Sequence, residues 1–256
     1  MRLILLVLVI LFPFGILGLA IGKLMGLMVG LVLGITLFVY WGATAEHAVL
    51  SGLRTLKEAS PGTRSSVLRV THEELGVEAP AVYEVAEASP NALIARMGGR
   101  AGYLVLTQGL LAVLTESELR VVIRVLVMRL RSKLTPQQTF CASLAHRLLK
   151  IGPHGWTRFI LVGDAPSALS NPELGPQAFF GFLLLYPCIR FIVWCGSSVE
   201  GLGGPTALSS EQSLLWHNAM RKVAGSTPSA HFSGNPGLLA LYLSPPKPMT
   251  EALSLK

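Results

Sequence analysis

The sequence predicts an α+β domain, mostly helical with a small sheet, carried on an N-terminal transmembrane hairpin. Three observations predict it. Leu3 to Gly22 and Leu24 to Trp41 are apolar runs separated by Lys23, each about as long as one bilayer span. Ala81 to Val85, Ala92 to Arg96 and Tyr103 to Thr107 are short β-prone runs, set apart by turn signals at Ser89-Pro90-Asn91 and Gly98-Gly99. Glu116 to Lys133 has helix-forming charges, no Gly or Pro, and apolar residues pointing in nearly every direction, which marks a buried helix.

Composition agrees with a membrane protein. Over 256 residues, 51% are hydrophobic and the mean hydropathy is +0.56, too apolar for an ordinary soluble domain. The net charge of +7 raises nucleic acid as a partner, but the basic residues are scattered and seldom interleaved with aromatics, so they read as membrane-flanking charge. Cys141, Cys188 and Cys195 are odd in number and lack C-x-x-C spacing, which excludes a disulfide framework or a zinc knuckle and predicts reduced, structural thiols.

In chain order, residues 1–42 are predicted as the hairpin. A cleaved leader would have a shorter apolar core and no second span directly after it. Arg2 before it and Arg54, Lys57 and Arg64 beyond it outnumber Lys23 at the turn, so both ends are expected in the cytoplasm of a bacterial-type inner membrane. Gly18, Gly22, Gly26, Gly30 and Gly34 recur every four residues, a spacing that lets helices approach closely in lipid. That stripe serves either the hairpin itself or a partner, another membrane protein or a second copy. Glycine is also simply common in membrane helices, and that plainer reading gains if a turn at Gly22 and Lys23 splits the stripe between two helices.

Residues 43–256 form the expected cytoplasmic domain. Ala43 to Ser60 and Arg64 to Leu75 are predicted helices divided by the breaker Ser60-Pro61-Gly62. The three strands follow. Thr115 with Glu118 predicts a reciprocal cap at the start of the buried helix, and basic residues sit at its far end, where the dipole favours them. Arg120, Arg124 and Arg131 share one stripe of that helix, and Arg129 lies opposite. Phe140 to Ile151 reads as amphipathic, and 152–175 as loop. Ala178 to Cys195 is an apolar, membrane-associated segment, broken by Pro187 and burdened by Arg190, that either spans the bilayer or lies in its interface. Ser210 to Val223 is the last predicted helix.

The series Ser89-Pro90-Asn91-Ala92, Leu104-Val105-Leu106-Thr107-Gln108-Gly109-Leu110-Leu111, Leu114-Thr115, Glu118-Leu119 and Val122-Ile123 resembles the HtpX-like membrane zinc metallopeptidases, relatives of the CAAX-prenyl proteases. The hairpin, the apolar segment after the buried helix and Ala219-Met220-Arg221-Lys222-Val223 are similar as well. The resemblance runs over residues 80–250, with the first fifty alike by architecture only. It implies a zincin-like fold with zinc held by H-E-x-x-H on the buried helix. This chain departs from the family there. Val125, Leu126, Val127, Met128 and Arg129 occupy those positions. Valine and leucine have no lone pair, and arginine offers none and does not deprotonate, so neither ligands nor general base remain. The family's third ligand, a glutamate in E-x-x-x-D, falls on Glu200 with Gly204 in place of the aspartate, or on Ser198 if the count shifts.

No other catalytic constellation emerges. His72-Glu73 has Gly76 where a second histidine would stand, and His47, His72, His146, His154, His217 and His231 are dispersed. Gly196-Ser197-Ser198-Val199-Glu200 fails as a nucleophile elbow at its last place, and Leu202-Gly203-Gly204-Pro205 lacks a Walker lysine. The sequence therefore predicts an inactive metallopeptidase homologue without cofactor, which binds the bilayer and a membrane partner. The alternative is a working membrane zinc endopeptidase with an unusual ligand set, for instance among His146, His154 and Glu200. A transporter is disfavoured by too few spans.

Overall fold

A computed structural model describes residues 2–53, 56–98, 101–151, 187–189, 191–196, 208–225, 241 and 243. Helix α1 (Arg2–Ala43) is interrupted at Gly22 (φ −130°, ψ 20°) and Lys23 (φ 50°, ψ −135°). There its two limbs turn back on each other. A Cβ on Gly18 would overlap the Gly26 carbonyl, one on Gly26 the Gly18 carbonyl, and one on Gly30 the carbonyl of Phe14. A Cβ on Gly22 would meet nothing within 4 Å. Of the two uses foreseen for the glycine stripe, Gly18, Gly26 and Gly30 therefore serve the packing of the hairpin on itself. Each limb is about 20 residues, roughly 30 Å of helix, which matches a hydrocarbon core. Among the described residues, every exposed large apolar side chain except Leu68, Leu134, Trp194 and Leu214 lies on α1. The helix is long and apolar enough to cross a membrane.

The predicted helix from Ala43 to Ser60 is instead α2 (Ala45–Ser51), a turn at Gly52, and strand β1 (Leu56–Glu58). Pairing with the next strand outweighs helical propensity there, since Leu56 to Glu58 lie opposite Val85 to Tyr83. The Ser60-Pro61-Gly62 breaker starts a helix. Ser60 is the N-cap of α3 (Pro61–Leu68), its hydroxyl accepts from the Thr63 amide, and Pro61 takes the first turn, where its missing N–H costs nothing. The helix runs on into a π turn, Arg69–Glu74.

The three foreseen strands are present: β2 (Ala81–Val85), β3 (Ala92–Ala95) and β4 (Tyr103–Thr107). Sheet order is β1-β2-β4-β3, with β2 and β4 parallel and both outer pairs antiparallel. The sheet is covered on both faces. Ala92, Ile94, Leu104 and Leu106 join one apolar cluster, and Leu93, Ala95, Val85 and Val105 join a second. This is why β3 and β4 read as continuous apolar runs and not as alternating ones.

Helix α4 (Gln108–Val113) leads into α5 (Glu116–Leu130), and α6 (Thr135–Ile151) follows. On the first cluster's side lie α5, α3 and α8 (Ser210–Gly225), the last helix foreseen from sequence. The other side holds α2 and α6. α6 differs from the expected amphipathic helix: it begins at Thr135, and Gln138 to His146 are all buried. It is enclosed by the sheet and α2, by the hairpin base (Leu6, Ile10, Phe38, Trp41) and by a short apolar helix, α7 (Pro187–Gly196). Arg190 and residues 178–186 of the apolar segment lie outside the described residues, as does the loop at 152–175.

Candidate functional site

The turn and helix start that carry the family resemblance meet at one hydroxyl. Thr107 ends β4 and caps α4. Its Oγ1 accepts from the Leu110 amide at 3.2 Å and the Asn91 amide at 2.8 Å, and lies within reach of the carbonyls of Ser89 and Asn91. Gly109 is needed beside it, because a Cβ there would overlap the Ala88 carbonyl. Ser89-Pro90-Asn91-Ala92 and the Thr107-x-Gly109 start are thus one buried latch that sets where α4 begins.

Helix α5 opens with the predicted reciprocal cap. Thr115 Oγ1 accepts from the Glu118 amide, and Glu118 Oε2 accepts from the Thr115 amide at 2.9 Å. The same oxygen lies 2.8 Å from Lys222 Nζ on α8. That ion pair was not foreseen, because 104 residues separate its partners. The Lys222 hydrogen bond, helped by those from Thr115 and opposed by burial, holds the Glu118 carboxyl below its usual range.

The positions that the resemblance aligns with H-E-x-x-H lie about two to three turns further on. Val125 and Leu126 are buried in the first cluster, Leu126 completely, alongside Val121, Val122, Ile123 and Leu130. Arg129 is half-buried, and burial pushes its guanidinium down from its ordinary value. It remains a cation at any working pH. Its carbonyl accepts from Thr135 Oγ1, which fixes the entry to α6. Valine, leucine and a guanidinium cation offer no lone pair, so Val125, Leu126 and Arg129 do not themselves fit a zinc ion. Glu200, Ser198 and Gly204 lie outside the described residues.

Of the alternative ligands, His146 is buried on α6 with its ring against Gly52, where an added Cβ would stand 3.0 Å from Cε1. It belongs to the α2 and α6 layer, across the sheet from Val125 and Leu126. His154 and His231 lie outside the described residues. His47, His72 and His217 are exposed, and His217 Nδ1 is 2.7 Å from the Ser213 carbonyl one turn back. Among the described residues no three of His, Cys, Asp or Glu gather as a metal site would need.

Two further features bear on chemistry. A cleft of about 400 Å³ opens one turn before Val125, lined by Arg120, Val121, Arg124 and Gln212. It uses two arginines of the predicted stripe, and Arg120 is 3.5 Å from Glu116. Cys141 is buried, which together with nearby Cys195 pushes its thiol up to about 12. At neutral pH it is therefore a packed apolar group and no nucleophile. No protein-family model, curated protein or solved structure matches the chain.

Proposed function

We propose that this chain is a catalytically inactive homologue of the HtpX-like membrane zinc metallopeptidases, a pseudopeptidase that serves as a binding subunit for another membrane protein. One observation carries the reading. At Val125 and Leu126, where a peptidase of that kind places its first ligand and general base, this chain has apolar side chains packed into the core of the domain. A site that has lost ligand and base together, and is filled with hydrocarbon, retains a scaffold and no route to activated water.

The hairpin supports a multi-pass anchor. Its limbs match the bilayer in length, and its flanking charges favour a cytoplasmic domain. The Gly18, Gly26 and Gly30 surfaces are used within the hairpin, so a partner would meet its outer apolar faces or the domain.

The test is proteolysis and mass together. Protein purified in mild detergent should cleave neither casein nor co-reconstituted membrane proteins above background, with or without added zinc. Extracted from native membranes, it should run as a complex with one stoichiometric partner. Cleavage abolished by a chelator would favour the peptidase with an unusual ligand set.

A further inference from the structure

We propose that α7 is an interfacial anchor: it lies along the cytoplasmic face of the bilayer, with Trp194 in the headgroup layer, and docks the domain flat against anionic lipid. The proposal rests on α1 being inserted in the membrane, and goes beyond it by assigning a lipid surface to the domain. α7 and the hairpin share one packed cluster. Leu6, Ile10, Phe38 and Trp41 of α1 join Phe140, Cys141 and Leu144 of α6 and Phe191, Ile192, Val193 and Cys195 of α7. From the turn at Lys23 to Phe38 the helix rises roughly 22 Å. With the turn at the far side of a hydrocarbon core about 30 Å thick, Phe38 sits within about 8 Å of the near side. The elements packed around it are therefore at the boundary between hydrocarbon and headgroups.

The chemistry of the outer surface suits that level. Trp194 is 48% exposed and stacks obliquely on Phe191, with ring centroids 6.0 Å apart. Gln137 on the first turn of α6 donates to the Cys195 carbonyl at 3.0 Å, which sets the end of α7 beside the turn between α5 and α6. Leu134 is 41% exposed in that turn, and Arg131 and Lys133 are exposed with it. Tyr40 is exposed near the end of the second limb of the hairpin. Aromatic rings at the boundary with basic residues next to them are the pattern of an interfacial contact. Outside the hairpin, Leu134 and Trp194 are two of only four large apolar side chains left exposed among the described residues, and both lie here. α7 packs with the base of α1 in one cluster, so a bilayer that takes the hairpin reaches α7 as well.

The experiment reconstitutes the full chain in vesicles of phosphatidylcholine and phosphatidylglycerol that carry bromine either shallow or deep in the acyl chains. The Trp194 signal is the emission of the parent minus that of Trp194→Phe, and Leu33→Trp on the hairpin reports insertion of α1. Shallow bromines should quench the Trp194 signal by roughly half, as expected of an indole at the interface, and aqueous iodide should leave it unchanged. Quenching by iodide and not by bromine, with Leu33→Trp quenched by deep bromine, would overturn the anchor and leave the inserted hairpin standing. If Leu33→Trp were untouched by bromine, insertion itself would fall, and the anchor with it. Strongest quenching by deep bromine at Trp194 would also overturn the proposal, because the segment would then cross the membrane.

Discussion

Replacing Lys222 by Met removes a cation bonded to a nearly buried carboxylate at the head of α5. Glu118 is 6% exposed, and its Oε2 keeps the two bonds from Thr115 when Lys222 is gone. A hydrogen bond to a charged group contributes about 1.5 to 3 kcal/mol. Lys222 is 42% exposed, so water screens the pair, and a loss of about 1 to 2 kcal/mol is expected. Glu118→Ala also forfeits the carboxylate half of the capping box, about 0.5 to 1.5 kcal/mol more, while Thr115 still caps the residue-118 amide, and should cost about 1.5 to 3.5 kcal/mol. The two changes should couple in a double-mutant cycle by about 1 to 2 kcal/mol. The assay is unfolding of detergent-solubilised protein followed by circular dichroism. pH gives an independent check. The Glu118 carboxyl titrates lower in the folded chain than in the unfolded one, so its stabilisation is present above the ordinary carboxylate range and is lost as pH falls through the depressed folded value. The gap between parent and Lys222→Met should therefore close in acid. A cost below about 0.3 kcal/mol, or a gap that persists after the carboxylates are protonated, would refute the reasoning.

Two further outcomes follow from the packing. Thr107→Val keeps the shape but leaves the buried amides of Asn91 and Leu110 without their acceptor, and should cost about 2 to 4 kcal/mol by the same unfolding assay. Gly26→Leu drives a side chain into the Gly18 carbonyl, so a crosslink between cysteines placed at facing positions of the two limbs should form in the parent and be lost in the variant.

The strands were legible because each is a short β-prone run bounded by Pro, Gly or Asn, and the sheet uses all three. The fourth was not. Leu56 to Glu58 is three residues long, partly exposed and charged at two of its three positions, so nothing local distinguishes it from the end of a helix. Only its pairing with β2 makes it a strand, and that contact reaches across more than twenty residues. Pro61 misled for a related reason: the same residue that ends one helix is favoured in the first turn of the next. At the site, that Val125, Leu126 and Arg129 offer no metal ligand is residue chemistry and could be read directly. The packing of Val125 and Leu126 into a single core, and the clamp from Lys222 to Glu118, depend on tertiary contacts that no local pattern encodes.

With Val125 and Leu126 packed into the core, the pseudopeptidase proposed above should stand without a metal. The most direct measurement is elemental zinc in the purified protein, taken together with thermal unfolding before and after chelation. The account predicts far less than one zinc per chain and an unfolding temperature that EDTA leaves unchanged. Stoichiometric zinc, with an unfolding temperature that falls in EDTA and recovers when zinc is returned, would contradict it.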